Sequence, residues 1–198
     1  MISCKKELKE YLRVEKLLYI DRLFGGKSSG IRKCTEWKYS EALRHCEYYH
    51  NCFKRHTLGG VYWGLKLKIL SILTNVKIPL NCFEKGLLIQ HCQNIVVSDK
   101  AKIGEWCYLF HNVTIGISLG RNDHGEAPQI GSAVTICTGA GIFGNIRIAN
   151  KCVIGANAVV NKSFDDEGYI IAGVPAKKIC PNSGFSMDNF RKRAVRRI

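Results

Sequence analysis

The chain has 198 residues, of which 46% are hydrophobic and 23% charged. This composition is typical of a globular protein and excludes a fibrous or largely disordered chain. The formal net charge of +14 favours anionic partners. No zinc finger, RNA-binding signature or basic-aromatic stripe assigns that charge to nucleic acid, so we expect no nucleic-acid partner.

The first ten residues, MISCKKELKE, are charged and lack the apolar stretch of a signal peptide. No apolar run approaches the roughly 18 residues of a membrane span. We therefore expect a cytoplasmic protein without a transmembrane segment. Its ten cysteines are then expected to be reduced thiols that fill space, rather than metal ligands or a nucleophile.

The N-terminal region, residues 1–77, is predicted to be α-helical. Apolar residues at helical spacing indicate three helices, the first followed by a Gly/Ser-rich break: residues 1–24, 39–55 and 61–73. The apolar face predicted for the third helix contains Leu65, Ile69 and Ile72.

Aliphatic side chains recur at every sixth position in the C-terminal half. They form two runs: Val97, Ile103, Leu109 and Ile115, then Ile130, Ile136, Ile142, Ile148, Ile154 and Val160. A step of six fits neither the 3.6-residue period of a helix nor the alternation of a strand. It is typical of a parallel β-helix built from hexapeptides, and we predict this fold for residues 78–173. No helix-length segment separates the units, which argues against a parallel sheet with interleaved helices.

Two segments depart from the repeat. Ile115 and Ile130 are fifteen residues apart, which is not a multiple of six and predicts a loop extruded from the coil at residues 117–128. Loops on a rigid scaffold commonly carry function. Residues 174–198 form a basic C-terminal tail, with five basic side chains among the last eight residues. This tail is either a solvated terminus or a contact with a membrane surface.

Three histidines are candidates for chemistry. Counting six residues back from Val97 reaches His91, so we expect an imidazole at a position where the repeat would place a core aliphatic. His91 is either a buried histidine bonded to a backbone carbonyl, or a general base that deprotonates an acceptor hydroxyl. His111 and His124, the latter in the extruded loop, could line the same cleft or lie on the surface.

A specific resemblance appears in four stretches of the chain. These are GLLIQHCQNIVVSDKAKIG, FHNVTIG, APQIGSAVTICTGAGIFGNIRIANKCVIGANAVVNKSF and IAGVPAKKI. Over about residues 61–178 the sequence resembles the hexapeptide-repeat acetyltransferases, which have a left-handed parallel β-helix. It is most similar to the serine acetyltransferase branch and its relatives that O-acetylate sugars of surface polysaccharides. The resemblance implies an acyltransferase.

The resemblance also implies a homotrimer with acetyl-CoA bound along the groove between neighbouring coils. His91 takes the position of the general base, in a G-x-x-x-x-H context that begins at Gly86. The residues that match cofactor-contacting positions are Gly116, Thr138, Ala156, Asn161, Lys162 and Lys177. The spacing of the histidines does not resemble that of the hexapeptide carbonic anhydrases, so no metal is expected.

Three departures from the serine acetyltransferases concern the acceptor. That branch has Asp immediately before the catalytic His and another Asp fifteen residues before it, where this chain has Gln90 and Val76. Its loop ends in Asp-Arg-His-Pro, where this chain has Gly-Glu-Ala-Pro at residues 125–128. These residues bind the small zwitterionic substrate, so we expect a sugar hydroxyl of a surface polysaccharide as acceptor. The alternatives are serine, in cysteine biosynthesis, and a non-catalytic trimeric scaffold that only binds CoA.

Overall fold

A computed structural model describes residues 1–25, 28–53, 57–118 and 125–183 of the chain. His124 and the five basic residues among the last eight of the tail lie outside these ranges. The helices of the N-terminal region are α1 (Lys5–Phe24), α2 (Thr35–Cys52) and α3 (Leu58–Thr74). The predicted break after α1 contains a short 3₁₀ helix, Ser28–Lys33. Within the described ranges, no helix is long and apolar enough to cross a membrane.

Two helices begin earlier than the hydrophobic pattern predicts, because capping groups precede the first apolar residue. The Cys34 thiol accepts a hydrogen bond from the Trp37 amide at the start of α2. The Thr57 hydroxyl accepts one from the Gly60 amide at the start of α3. Such caps satisfy amide groups that have no partner inside the helix.

Short strands follow the helices. Those of the described residues are β1 (Val76–Lys77), β2 (Leu88–Ile89), β3 (Ile95–Val97), β4 (Lys102–Ile103), β5 (Tyr108–Leu109), β6 (Thr114–Gly116), β7 (Gln129–Ile130), β8 (Thr135–Ile136), β9 (Gly141–Phe143), β10 (Arg147–Ile148), β11 (Val153–Ile154), β12 (Val159–Val160), β13 (Tyr169–Gly173) and β14 (Ala176–Pro181).

The strands form the three faces of a prism. Sheet A has the order β1-β3-β6-β9-β12, sheet B the order β4-β7-β10, and sheet C the order β2-β5-β8-β11-β13-β14. Successive coils pair in parallel, and only the final pair, β13 with β14, is antiparallel among the described strands. The predicted β-helix is therefore confirmed. All ten aliphatics of the six-residue ladder are buried inside the prism.

Six of the ten thiols are buried and fill space, as predicted, whereas Cys4 and Cys180 are exposed. All ten cysteines lie in described residues, and all ten are free. Cys107 and Cys152 face the interior of the prism, and burial raises the pKa of the Cys107 thiol to about 12. A thiol with such a pKa is protonated at neutral pH and is a poor nucleophile.

The corner between sheets C and A is held by asparagines. Asn75, Asn94, Asn112 and Asn157 all have a left-handed backbone, and Gly139 takes the corresponding place in the fourth coil. Asparagine tolerates this conformation better than other residues with a side chain. The Asn75 amide donates to Asn94, and the Asn94 amide donates to Asn112. The asparagines therefore stack in register from coil to coil.

The helical region is attached to the first coil through a buried ion network. Arg44 on α2 is fully buried and donates to Glu15 on α1 and to Glu47, each at 2.8 Å. The same guanidinium donates to the backbone carbonyls of Phe83 and Glu84 in the first coil. Glu15 also accepts from the backbone amides of residues 86 and 87. The network therefore joins both helices to the chain immediately before β2.

One helix face does not follow the prediction. The stripe expected to be the apolar face of α3 is exposed, with Leu65 at 59%, Ile69 at 49% and Ile72 at 72% of full exposure. Leu67 and Leu70 pack against the core instead. The hydrophobic period therefore identified the helix correctly, but it did not show which face of the helix packs against the core within one chain.

The buried network predicts a large loss of stability in the Arg44→Met variant. Methionine fills much of the arginine volume but leaves two buried carboxylates without their cation. We expect the free energy of unfolding to fall by about 3–5 kcal/mol, as measured by urea denaturation.

The control is Lys85→Met, which breaks the more exposed pair of Lys85 with Glu10 between α1 and the coil. A pair of this kind contributes less than about 1 kcal/mol. Equal losses in the two variants would contradict the role of Arg44.

Candidate active site at a corner of the coil

Four of the residues selected from the sequence stack at one corner of the prism. The register of sheet C aligns Ile89, Leu109, Ile136 and Ile154. The residues two positions further along therefore occupy the same place in successive coils: His91, His111, Thr138 and Ala156. We call this column the histidine corner. The structure brings these residues together although the chain separates the first from the last by 65 positions.

The position of His91 corrects an expectation. His91 is exposed and has a left-handed backbone with φ of 57°, so it does not replace a core aliphatic. The inward-facing residue of this strand is Ile89. Eight positions separate Ile89 from Val97, whereas six separate Leu109 from Ile115 in the next coil. The turn is two residues longer, so a count of six backward from Val97 ends at the corner rather than in the core.

His91 and His111 are neighbours at this corner. Their ring centroids are 5.5 Å apart and the rings meet edge to face at 77°. Nε2 of His111 lies 2.9 Å from Oγ1 of Thr138, within hydrogen-bond distance. Its Nδ1 is buried and has no hydrogen-bond partner among the described residues. The sequence suggested Thr138 only as a cofactor contact and offered no signal for its bond to His111.

Gln90 adds a second polar group beside His91. Its amide nitrogen lies 3.5 Å from His91 Nε2, at the outer limit of a hydrogen bond. Its amide oxygen is buried and has no partner among the described residues. Buried polar atoms of this kind are uncommon in folded proteins and often mark functional sites. Two of the few that the described ranges contain flank His91.

The helical region positions the strand that leads to His91. The Tyr19 hydroxyl on α1 accepts a hydrogen bond from the Ile89 amide at 3.0 Å, and Tyr19 is completely buried. Its ring meets Trp37 on α2 edge to face. The two aromatic side chains therefore fix the backbone two residues before the exposed imidazole. The sequence contained no local signal for this contact, since 70 residues separate its partners.

The other cofactor candidates lie in two places. Lys177 on β14 pairs with Ala172 on β13. Ala172 immediately precedes the β13 residue that lies beside Ala156 in the next coil of the column. Gly116 and Asn161 share a column at the opposite end of the sheet A strands, and Lys162 follows Asn161. Neighbouring strands are about 4.8 Å apart, so four steps from the His91 coil to β13 span about 19 Å.

This geometry suits an extended, anionic ligand. The histidine pair stands at one end and Lys177 at the other, both exposed or half-exposed to solvent. Between them, the smallest side chain of the column is that of Ala156. An added Cβ at the adjacent Gly155 would lie 2.8 Å from that of Ala172, so the wall has no room for a larger residue there. The described ranges contain no group of three or more His, Cys, Asp or Glu side chains that could hold a metal.

Val76 and the extruded loop are the two remaining segments at which the sequence departs from the serine acetyltransferases. Val76 is fully buried in β1, so a carboxylate at this position would be desolvated inside the coil. In the loop, residues 119–124 lie outside the described ranges, so the predicted role of His124 stays a prediction. Ala127 and Pro128, at the end of the loop, are buried.

The chain is similar in sequence to several curated serine acetyltransferases. The serine acetyltransferase of Mycobacterium tuberculosis is 35% identical over 135 residues, which cover 63% of this chain and 57% of that protein. The serine acetyltransferase of Buchnera aphidicola is 30% identical over 155 residues, 77% of this chain and 56% of that protein. The chain spans about half the length of the curated relatives it matches. No family model matches it.

Solved structures show the same fold. The serine acetyltransferase of Neisseria gonorrhoeae superposes with a TM-score of 0.75 over 91% of this chain and 68% of that protein, at 24% identity. A serine acetyltransferase in complex with CoA superposes with a TM-score of 0.71 over 88% of this chain and 71% of that one, at 21% identity. The chain is therefore a left-handed parallel β-helix protein of the hexapeptide-repeat type, related to the serine acetyltransferases.

Proposed function

We propose that this chain transfers an acetyl group from acetyl-CoA to the hydroxyl of serine. The histidine corner carries the proposal, because it places a solvent-accessible imidazole at one end of a column that runs about 19 Å to β13, and Lys177 lies on the adjoining β14. An extended acyl thioester with phosphates at its far end fits both features. The relatives named above are all serine acetyltransferases, one of them solved with CoA.

His91 is the general base in this proposal. It takes the proton of the acceptor hydroxyl, whose oxygen attacks the thioester carbonyl directly. The exposed position of His91 suits this role, because the ring must meet a diffusible acceptor and exchange its proton. Lys162 and Lys177 are exposed cations that would contact phosphates. Ala156 leaves room for the narrow arm that joins the phosphates to the thioester.

The acceptor differs from the sugar that the sequence favoured. The relatives support serine and offer no support for a saccharide. Gln90, beside His91, stands where serine acetyltransferases have Asp, so the pocket has less negative charge for an ammonium group, whereas Val76 is buried in the coil. We therefore infer that serine binds through weaker, uncharged hydrogen bonds in this chain.

The chain is also proposed to act as a homotrimer. Seven large apolar side chains along α3 are 49–93% exposed: Leu58, Val61, Tyr62, Leu65, Ile69, Ile72 and Leu73. A contiguous apolar stripe of this length is unusual on a monomer and supports association. Assembly would also supply the neighbouring coil that completes the groove. A cytoplasmic location and a contact of the basic tail with membranes stay predictions.

The His91→Ala variant tests the catalytic assignment. Loss of a positioned general base should lower kcat by about 10²–10⁴-fold. Release of CoA thiol from acetyl-CoA is measured with serine and with a panel of sugars, against a blank without acetyl-CoA, because Cys4 and Cys180 are exposed. His50→Ala removes an exposed imidazole on α2 and should leave the rate unchanged. An unchanged rate in His91→Ala would exclude His91 as the base.

The same assay separates the rival functions. Turnover with a sugar and not with serine would return the acceptor to the saccharide class. Binding of acetyl-CoA, with no turnover of any acceptor, would favour the non-catalytic scaffold.

The Gln90→Asp variant tests the acceptor. A carboxylate beside His91 should attract the ammonium group of serine, and a hydrogen bond between charged groups contributes about 1.5–3 kcal/mol. We expect KM for serine to fall by about tenfold or more. Gln93→Asp adds the same charge at an exposed site of the same turn and should have little effect. Equal changes in both variants, or none in Gln90→Asp, would show that residue 90 does not contact the ammonium.

The Leu65→Glu variant tests the trimer. Burial of an unpaired carboxylate in the middle of the α3 stripe has a large desolvation free energy. We therefore expect the trimer to dissociate at micromolar concentration, as measured by light scattering. Lys68→Glu changes an exposed residue outside the apolar stripe of the same helix and should leave the trimer intact. A monomeric wild-type protein under these conditions would contradict the trimer.

A further inference from the structure

The two nitrogens of His111 have different surroundings. Nε2 lies 2.9 Å from the Thr138 hydroxyl oxygen, whereas Nδ1 is buried and unpartnered among the described residues. His91, one coil away, is exposed, and the two ring centroids are 5.5 Å apart. The corner therefore holds two imidazoles, one accessible to solvent and one fixed by a neighbour. They are suited to different tasks.

The contact with Thr138 is compatible with either neutral tautomer of His111, because a hydroxyl can donate to Nε2 or accept from it. His111 Nε2 is the hydrogen-bond partner that the described residues provide for Thr138 Oγ1. If the hydroxyl donates its hydrogen to Nε2, the neutral ring holds its own hydrogen on Nδ1. That N–H is then a desolvated donor without an acceptor, which is an unfavourable state in the free protein. A ligand oxygen that arrives at Nδ1 would relieve it.

We propose that His111 is a catalytic residue whose Nδ1–H donates a hydrogen bond to the carbonyl oxygen of the thioester. This inference rests on the acetyl transfer proposed above. His91 removes the hydroxyl proton of the acceptor, and the hydroxyl oxygen forms a bond to the carbonyl carbon. The π electron pair moves onto the carbonyl oxygen, which His111 stabilises as it gains negative charge. When the C=O bond reforms, the C–S bond breaks and the sulfur leaves with the proton held by His91.

The placement of the two rings meets a geometric requirement of this reaction. The attacking oxygen and the developing oxyanion are attached to the same carbon. A base for the first and a donor for the second must therefore be close neighbours, as His91 and His111 are. A donor that is already oriented and shielded from water is worth most in the transition state, where the oxygen carries charge. Thr138 acts through His111 and is a positioning residue.

Three variants separate the two nitrogens. The amide of an asparagine at position 111 reaches the place of Nδ1, whereas the amide of a glutamine reaches that of Nε2 beside Thr138. His111→Gln should therefore lose the donor and lower kcat by about 10²–10³-fold, the usual effect of removing one oxyanion donor. His111→Asn should stay within about tenfold of the wild type. Thr138→Val frees the ring to carry its proton on either nitrogen and should lower kcat by a smaller factor.

Two further measurements distinguish catalysis from a structural role. Binding of acetyl-CoA, measured by calorimetry, should be nearly unchanged in His111→Gln, because the bond strengthens only as charge develops. Nitrogen NMR of labelled imidazoles, in the free protein at a pH where they are neutral, should show His111 protonated at Nδ1. The signal is assigned by its disappearance in His111→Asn. In Thr138→Val the proton should shift toward Nε2.

The outcomes for His111 and for the overall reaction are separate. Wild-type kcat in His111→Gln, or an His111 ring protonated at Nε2 in the free protein, would overturn the role of His111 and leave His91 as the base. Equal losses in His111→Gln and His111→Asn, with weaker acetyl-CoA binding in both, would make His111 structural. A wild-type protein that releases no CoA with any acceptor would overturn the proposed function and this inference with it.

Discussion

Parallel hydrogen bonding between successive coils is the constraint on which the candidate site depends. Each coil pairs with the next in a fixed register, so residues that are distant in the chain occupy the same place on one edge of the prism. The bonds involve backbone groups, and the side chains of an edge are therefore free to vary. A column can then hold His in two coils, Thr in the third and Ala in the fourth without a change in the scaffold. The proposed base at one end and the proposed cofactor contacts at the other would both depend on this repeat.

The helical region has a defined task within this arrangement. A prism of stacked coils has an open end, where the first strand lacks a partner. The helices pack beside this end, and the buried Arg44 network and Tyr19 bind them to the backbone before and within β2. Because β2 leads directly into the turn that contains His91, these contacts fix the backbone that precedes the imidazole. The N-terminal region is thus part of the framework of the site, although it supplies no residue to the column.

The polarity of the corner separates this chain from its relatives. The resemblance places Asp beside the catalytic His in serine acetyltransferases, whereas Gln90 here presents a neutral amide with a buried oxygen. Val76 replaces the second Asp and faces the apolar interior of the coil. Of the two positions, only residue 90 lies beside His91, so only this difference changes the charge at the histidine corner.

The sequence by itself determined which side chains face the interior of the coil. The six-residue period reports a local, repeated geometry, so it identified the ten core aliphatics and the fold. Counting by six also reached His91, and the resemblance supplied Thr138 and Ala156, but neither showed that these residues form one column with His111. Only the tertiary structure decided the exposure of His91, because two additional residues in one turn move it from the core to the corner.

Three further features are visible only in the tertiary structure. They are the bond of His111 with Thr138, the burial of Arg44 between two glutamates, and the exposure of the apolar stripe of α3. These features depend on contacts between residues far apart in the chain or, for α3, on the surface left uncovered after the helices pack. A periodic pattern carries information about the face that a residue occupies within its own element. It carries none about the partner that meets that face, because the partner is set by packing across the whole molecule.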